Sequence, residues 1–470
     1  MDFSSCRGYA TTSADKKLFS EPNLECAHLK VPLNYSHPDG PIAQVAVLRV
    51  PARGPAKGAL VVNSGGPGGP GMSFAASLEK TLAKRDVPDR FDLVGFDPRG
   101  VGATKPAISC FTNKEYLTGD VHTEFFLAAG KYTEKDTRHL TDKCASGSGG
   151  RQNLAAVSSR DTVRDMDILR AALKQKKLNF LGQSYGTRIG ALYADKFPNN
   201  VRAMILDGAV DPSLGNKRRL LQYAGFQRSF EQMAKDCAAH TVCPLGKNSD
   251  NATREFQKIA RPLLEKAVPY GNGQNFTFND LVDGVIIGLY SKDSWPLITK
   301  GLVELKQGKP ERFVQAAQIF SGRDASGSGS NYDVANFAIT CMDEARLTAK
   351  EAADFRGMVY KMLPFADPGT GNAGARDACE SWPAKPKTTY PFPRKVKGLP
   401  PTLTISVTGD PSTPYSGGVH LADALGGSLL TVKGEQHTIA SSGINSCVNK
   451  VVDAYLINLK VPKRGTECAA

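Results

Sequence analysis

A serine stands in a pattern typical of nucleophilic catalysis, Gly-Gln-Ser-Tyr-Gly at 182–186. The motif follows an apolar strand pattern at 178–181 and precedes a helix pattern that Pro198 ends. A serine on such a sharp strand-to-helix turn is exposed above the sheet, and its glycine neighbours avoid clashes there. The N-terminus of the following helix favours developing negative charge. In isolation this motif is more often a plain tight turn, but its context favours Ser184 as a nucleophile.

A second feature supports that interpretation, a glycine-rich run at 63–71 after another buried strand pattern at 59–62. Backbone N–H groups without hindering side chains are suited to binding an oxyanion. The rival interpretation is a loop that binds phosphate. Because the run lacks the Gly-Lys-Ser/Thr ending of a Walker A motif and the spacing of a dinucleotide fingerprint, the sequence favours an oxyanion loop.

A serine hydroxyl is a poor nucleophile unless a base takes its proton, and hydrolases with this motif supply the acid and then a histidine later in the chain. Two histidines late in the chain, His420 and His437, follow a long helical stretch at 211–394. His437 lies in a loop after the strand pattern at 428–432, whereas His420 lies in a helical pattern. We therefore predict that His437 is the base.

The matching acid is expected at the end of the strand pattern at 402–408, where Asp410 begins the segment Asp-Pro-Ser-Thr-Pro. A carboxylate there can accept the imidazole N–H, which fixes the tautomer and stabilises the imidazolium. An ordinary turn-forming aspartate is the alternative. Asp207, which ends an earlier strand, is the reserve candidate for the acid, and turn stabilisation is its more natural role.

The elements around these residues predict an α/β fold. Strand patterns alternate with helix patterns, which indicates a mostly parallel sheet, and 29–50 has the pattern of an antiparallel hairpin. From 211 to 394 the pattern is helical, with a Gly/Ser-rich segment at 324–330. We expect a sheet domain made of 1–210 and 395–470, an inserted helical cap domain at 211–394, and a ligand cleft between them.

Composition excludes several classes of protein. The chain has 470 residues, 41% of them hydrophobic and 22% charged, which is ordinary globular usage. Its apolar runs are far shorter than the roughly 20 residues that a membrane span needs, so no integral membrane segment is expected. The formal net charge of +13 comes from scattered residues without a zinc-finger or RNA-binding motif, so no nucleic-acid partner is expected.

The ten cysteines fall into neighbouring couples along the chain: Cys6 with Cys26, Cys110 with Cys144, Cys237 with Cys243, Cys341 with Cys379, and Cys447 with Cys468. Sequence alone does not prove pairing, and buried free thiols are the alternative. The absence of a CxxC pair argues against structural zinc, so an oxidising compartment is favoured. The N-terminus lacks a signal pattern, and we expect Met1 to begin a mature or engineered form whose export signal has been removed.

Several motifs in order resemble one known family across nearly the whole chain. They are NSGGPGGPG, FDPRGVGAT, GQSYGTRIGALYA, LDGAVDP, TCMDE, CESWP and GDPSTPY. The chain resembles the secreted tripeptidyl aminopeptidases of actinobacteria, which are α/β-hydrolase serine peptidases related to prolyl aminopeptidases. The resemblance implies an α/β-hydrolase fold, a disulfide-bearing helical cap, a catalytic triad of Ser184, Asp410 and His437, and an oxyanion hole formed by the backbone N–H groups of Gly66 and Tyr185.

The same resemblance implies a serine exopeptidase that forms an acyl-enzyme on Ser184 and releases short peptides, with tripeptides as the expected product, from the free N-terminus of peptides or proteins, with no metal or organic cofactor. Recognition of a free amine needs a carboxylate. The TCMDE motif makes Asp343 and Glu344 the candidates, and two solvated helix charges are the alternative. An esterase, a lipase or an endopeptidase with the same triad, and a noncatalytic binding protein on this scaffold, are the rival functions.

We further expect a monomer that is secreted or associated with the cell envelope. Its expected partners are peptides or proteins with a free N-terminus.

Overall fold

The centre of the computed structural model is a ten-stranded sheet. The structure describes residues 1–118, 123, 127, 130–215, 217–271, 274–323, 328–387 and 396–470. The strands in chain order are β1 Ser4–Ser5, β2 Glu25–Pro32, β3 Ile42–Val50, β4 Ala59–Asn63, β5 Asp92–Phe96, β6 Leu178–Gln183, β7 Val201–Asp207, β8 Val268–Tyr270, β9 Gln274–Phe276, β10 Leu403–Val407, β11 Ser428–Lys433 and β12 Glu467–Ala469. All except β8 and β9 belong to the central sheet.

The strands of this sheet lie in the order β1-β2-β3-β5-β4-β6-β7-β10-β11-β12. The first three pairings in that order are antiparallel and the remaining six are parallel. The predicted hairpin and the predicted mostly parallel sheet are therefore both confirmed. Strands β4, β6 and β10 are buried along their whole length, as expected for inner strands of a parallel sheet that is covered on both faces.

Helices cover both faces of the sheet. They are α1 Ser13–Leu18, α2 Gly71–Thr81, α3 Val87–Arg90, α4 Asn113–Thr118, α5 Glu134–Gly147, α6 Arg151–Leu154, α7 Ser159–Ala172, α8 Tyr185–Lys196, α9 Lys217–Ala239, α10 Ala252–Ala260, α11 Phe278–Leu289, α12 Trp295–Leu305, α13 Glu311–Ser321, α14 Tyr332–Asp343, α15 Ala349–Met362, α16 Tyr415–Leu425 and α17 Ser446–Asn458. Alternate residues of β4 show the two faces: Val61 shares a core with α7 and α8, whereas Leu60 and Val62 share one with α2 and α17.

The segment between β7 and β10 is mainly helical, as predicted, with the short β8–β9 hairpin as an addition. We call residues 217–366, which contain α9 to α15, the cap. Much of the cap has its own hydrophobic core, in which the ring centroids of Phe230, Phe256 and Phe365 lie 4.6–5.6 Å apart. Helix α14 instead packs into the core of the sheet domain, so the cap is anchored on the sheet along one helix.

The division at 210/211 and 394/395 stays a prediction. Residues 394 and 395, and positions 324–327 of the predicted Gly/Ser-rich segment, lie outside the described residues.

All five cysteine couples are joined as disulfides: Cys6–Cys26, Cys110–Cys144, Cys237–Cys243, Cys341–Cys379 and Cys447–Cys468. The alternative of buried free thiols is therefore wrong. Among the described residues, no helix combines the length and the apolar character that crossing a bilayer requires.

Candidate active site

Ser184 occupies the turn between β6 and α8. Its backbone angles are φ 53° and ψ −123°, in a region that L-residues with a side chain rarely adopt. The turn is held in place because the Ser184 N–H donates a hydrogen bond of 2.9 Å to the carbonyl of Asp207 at the end of β7. Strain of this kind persists only where the surroundings impose it, and it clusters at functional sites.

The two glycines of the motif are required by close packing. A Cβ built on Gly186 would lie 2.7 Å from the carbonyl oxygen of Asn63. A Cβ built on Gly182 would lie 2.4 Å from the carbonyl oxygen of Gly186. No side chain fits at either position, which is the reason predicted from the sequence.

The glycine-rich loop after β4 packs directly against this turn. A Cβ on Gly65 would lie 2.7 Å from the backbone nitrogen of Tyr185, and the Gly65 N–H is used by the side chain of Asn63 at 3.0 Å. The Gly66 N–H forms no hydrogen bond with any residue that the structure describes. The Tyr185 N–H opens α8 and therefore has no intrahelical acceptor.

Gly66, Ser184 and Tyr185 line one pocket of about 490 Å³. Two backbone donors beside a half-buried serine are suited to binding an oxyanion. The residues predicted for the nucleophile and the oxyanion hole are thus together in space.

The predicted acid and base are in direct contact. His437 Nδ1 lies 2.9 and 3.0 Å from the two carboxylate oxygens of Asp410, whose side chain is fully buried. Asp410 also accepts hydrogen bonds from the backbone N–H groups of Ser412 (2.9 Å) and Thr413 (2.7 Å). A carboxylate in this position holds the proton on Nδ1 and leaves Nε2 free to act as a base.

The sequence analysis missed Thr413. Its hydroxyl lies 2.9 Å from Asp410 Oδ2 and 3.2 Å from His437 Nδ1, so it touches both members of the couple. The sequence did contain a signal for this contact. A threonine three residues after an aspartate is typical of a side chain that closes a turn on that aspartate.

The electrostatic surroundings favour the imidazolium form of His437. Burial by itself acts to lower the pKa of His437, but the charge of Asp410, its hydrogen bond, and the charge of Asp207 outweigh burial. The net result is a pKa above the ordinary value of 6.5. A histidine of this kind stabilises the positive charge that it acquires when it takes a proton from serine.

Asp207 has a different set of partners from Asp410. Its Oδ2 accepts hydrogen bonds from the side chain of Gln183 (2.9 Å) and from the backbone N–H groups of Ile439 (2.8 Å) and Ala440 (2.7 Å). These contacts join the loop that carries His437 to the end of β6. The Asp207 side chain therefore has the turn-stabilising contacts predicted for it.

The segment 207–208 also joins Ser184 to His437. The carbonyl of Asp207 holds the Ser184 N–H, and a Cβ built on Gly208 would lie 3.3 Å from His437 Cε1. The nucleophile turn and the imidazole therefore pack against one short piece of backbone. The remaining late histidine, His420, lies on α16 as predicted and pairs with Asp211 at 2.6 Å.

Known proteins are similar to this chain over most of its length. Residues 58–440 match the family model of the alpha/beta hydrolase fold. The chain belongs to the alpha/beta hydrolase family. It is 39% identical to serine protease Hip1 of Mycobacterium tuberculosis, with 94% of this chain and 87% of that protein covered.

This hydrolase is also 37% identical to carboxylesterase B of Mycobacterium tuberculosis, over 99% of this chain and 89% of that protein. It is 30% identical to a tripeptidyl aminopeptidase of Streptomyces lividans, over 95% of this chain and 84% of that one. The predicted membership in the actinobacterial serine peptidase group of this fold, and with it the assignment as an enzyme, is confirmed.

The two carboxylates predicted to bind the substrate amine lie behind the nucleophile turn of the hydrolase. Asp343 accepts hydrogen bonds from the Tyr185 hydroxyl (2.5 Å) and the Ser159 N–H (3.1 Å). Glu344 pairs with Arg188 (2.5 Å) and Arg218 (2.9 Å). Neither is a solvated helix charge, since both residues are buried.

Glu344 is held in its charged form. Burial acts to raise its pKa, but the two arginines outweigh burial and lower the pKa to about 2. Arg218 also lines the pocket that contains Ser184, as does the carboxylate residue Asp211. The charged residues that line the pocket of Ser184 therefore include Arg218 and Asp211.

The cap of the hydrolase holds the loops that carry Asp410 and His437. The carbonyl of Tyr290, at the end of α11, accepts the His437 N–H at 2.8 Å, and the two rings pack edge to face at 5.3 Å. Arg228 of α9 donates to both carboxylate oxygens of Glu435, at 3.0 and 2.6 Å, and to the carbonyl of Gly409 at 2.7 Å. These contacts span far-separated parts of the chain, so local sequence patterns gave no sign of them.

Proposed function

We propose that the protein is a secreted serine exopeptidase that releases short peptides, most characteristically tripeptides, from the free N-terminus of peptides or proteins. The observation that carries this proposal is the Asp410–His437 couple, which packs beside the strained turn of Ser184. Similarity to a serine protease and to a tripeptidyl aminopeptidase supports peptides as the substrate class.

In the proposed reaction, His437 Nε2 takes the proton of the Ser184 hydroxyl as the oxygen attacks the peptide carbonyl. The tetrahedral intermediate places its negative oxygen against the N–H groups of Gly66 and Tyr185. His437 then gives the proton to the leaving amine, and an acyl-enzyme on Ser184 remains. Water, deprotonated by the same histidine, releases the short peptide and restores the serine.

An exopeptidase also needs a carboxylate for the substrate amine. Asp343 and Glu344 remain our first candidates, and Asp211 joins them because it lines the pocket of Ser184. The variants Asp343→Asn, Glu344→Gln and Asp211→Asn, each assayed on free and acetylated peptides, separate the three. The amine-binding variant loses its preference for the free amine, whereas a variant that only disturbs folding lowers both rates together.

Five disulfides support secretion or a place in the cell envelope, because such bonds persist in oxidising compartments. Fractionation of the producing cells with an antibody to the protein tests this location. The monomeric state stays a prediction, which sedimentation velocity tests directly.

The deciding experiment compares matched chromogenic tripeptide amides with free and acetylated amino termini, using wild type and Ser184→Ala. Cleavage of the free-amine substrate alone, abolished in the variant, is the expected result. Equal cleavage of the acetylated substrate identifies an endopeptidase and overturns the exopeptidase assignment.

The second candidate function is an esterase, which the 37% identity to carboxylesterase B favours. A short-chain ester assayed in the same series tests it. Turnover of the ester without any turnover of the peptide amides moves the protein to the esterase class.

A further inference from the structure

Three aromatic side chains of the cap form a connected row over the catalytic residues, which we call the aromatic row: Tyr290, Phe320 and Tyr332. Ring centroids lie 5.8 Å apart between Tyr290 and Phe320, and 5.8 Å apart between Phe320 and Tyr332. One end of the row is the edge-to-face contact of Tyr290 with His437. At the other end, a Cβ built on Gly66 would lie 3.1 Å from the Tyr332 ring.

The middle of the aromatic row is open to solvent. Phe320 is 43% exposed, and its neighbour Ile319 at the end of α13 is 83% exposed. Large apolar side chains that stay exposed together beside a cleft are typical of a binding surface. Core packing therefore accounts for Tyr332 and Tyr290, which are largely buried, but leaves the position of Phe320 unexplained.

Proton transfer to the leaving amine indicates which part of the substrate binds at the aromatic row. His437 must hand its proton to the leaving amine, so the first residue of the leaving peptide has to lie beside the imidazole. Tyr290 is the cap side chain that covers this imidazole, and Phe320 extends the same apolar surface outward. The pocket lined by Ser184, Gly66 and Arg218 contains the attacking serine and suits the acyl part of the substrate.

We propose that the aromatic row is the subsite for the residue that follows the cleaved bond, and that it selects a large apolar side chain there. The inference rests on the proposed function in one respect, that a peptide acylates Ser184. Aromatic and aliphatic side chains gain contact area against such rings, whereas a carboxylate loses hydration there and meets no positive charge in the row.

Acyl transfer to added amines tests this subsite directly. The acyl-enzyme is formed from a tripeptide methyl ester and offered phenylalaninamide, leucinamide, alaninamide or aspartate amide. The acceptor amine attacks the acyl carbon, the Ser184 ester bond breaks, and the amine's proton passes through His437 to the serine oxygen. We expect the ratio of aminolysis to hydrolysis to be about tenfold higher for phenylalaninamide than for alaninamide, with aspartate amide lowest.

Phe320→Ala is the matched variant. It should bring the phenylalaninamide-to-alaninamide ratio close to one, and Phe320→Leu should restore much of the preference. Met358→Ala, which removes a side chain that is 42% exposed on α15, is the control and should leave both the ratio and the hydrolysis rate unchanged. A purely structural role of Phe320 would lower capture of all acceptors by the same factor, since it would not distinguish their side chains.

Equal capture of all four acceptors by wild type overturns the proposal, and so does an unchanged ratio in Phe320→Ala. A different result would overturn the exopeptidase assignment, namely equal acylation of Ser184 by acetylated and free tripeptide esters. In that case the acceptor ratios still report on the aromatic row, because they need only an acyl-enzyme. If neither ester acylates Ser184, both proposals are wrong.

Discussion

The two halves of the site are built in different ways. Ser184 and its glycine neighbours lie on β6 and α8, inside the sheet domain, and backbone contacts within a few ångströms fix their shape. Asp410 and His437 lie on loops after β10 and β11, and the cap holds those loops through Arg228 and Tyr290. The proposed nucleophile is thus placed by the sheet, whereas the proposed acid–base couple depends on cap residues that lie 147 to 207 positions away in sequence.

This difference separates residues that would react with the substrate from residues that only hold them in position. On the nucleophile side, a single extra carbon at Gly186 collides with backbone, so only glycine fits at that position of the turn. On the acid–base side, the side chains of Arg228 and Glu435 are 38% and 30% exposed, and an ion pair of that kind contributes modestly to stability. We therefore expect changes at the reacting atoms to be severe and changes at the cap contacts to be graded.

The largest effect is expected for Ser184→Ala. Removal of the nucleophile should lower kcat by about 10⁶-fold, while the turn stays intact because alanine carries the same Cβ. Steady-state hydrolysis of the free tripeptide amide measures the loss, and the thermal unfolding midpoint checks that folding is unchanged. Residual turnover close to wild type would mean that another group carries the reaction.

Asp410→Asn comes next, with an expected loss in kcat of about 10⁴-fold, because the amide no longer holds the proton on Nδ1 of His437. Thr413→Val, which removes the hydroxyl beside both residues, should cost less because the carboxylate remains. Rates of the two variants on one substrate give the comparison. If Asp410→Asn retains most of its activity, Asp207 is the acid.

Much of the nucleophile side was predictable from sequence because its constraints are local. The strand pattern before Ser184, the two glycines and the glycine-rich loop each occupy a few consecutive residues, and their geometry follows from steric limits alone. The order of Asp410 and His437 was predictable for the same reason, since each follows a recognisable strand. The mostly parallel sheet and the helical insertion followed from patterns of similar length.

The contacts across the cap were not predictable in this way. Nothing near Arg228 in sequence points to Glu435 or Gly409, because the ion pair forms only when two separate segments meet in the folded protein. The surroundings of Asp343 and Glu344 are a second case. Their motif suggested a charged pair, but burial against Tyr185 and two arginines depends on how α14 packs on the sheet domain.

The cap contacts are tested by Arg228→Ala, which should lower kcat on the order of tenfold to a hundredfold through misplacement of the acid and histidine loops, with little change in KM. Arg228→Lys should recover part of the loss. Arg312→Ala is the matched control, since Arg312 forms the same two-pronged pair with Glu304 within the cap. A similar loss in both variants would show that cap stability, rather than loop position, controls the rate.

The smallest expected effect concerns the charge of Asp207, which connects the two halves. Among the residues that the structure describes, the charged or titratable groups recorded against His437 are Asp410 on the loop after β10, Asp207 at the end of β7, and Tyr290 of the cap. His437 must be neutral to act as a base, and its pKa lies above 6.5, so kcat/KM should rise with pH through a midpoint above 6.5.

Asp207→Asn keeps an oxygen acceptor for the Ile439 and Ala440 N–H groups but removes the negative charge. Loss of that charge favours neutral imidazole, so the midpoint of the pH profile should move to lower pH, while Asp195→Asn on α8, which pairs with Arg160 at 3.4 Å, should not move it. Profiles of kcat/KM measured on one substrate give the shift. An unmoved midpoint with a reduced rate would mean that Asp207 positions the histidine loop through its hydrogen bonds and that its charge does not set the pKa of His437.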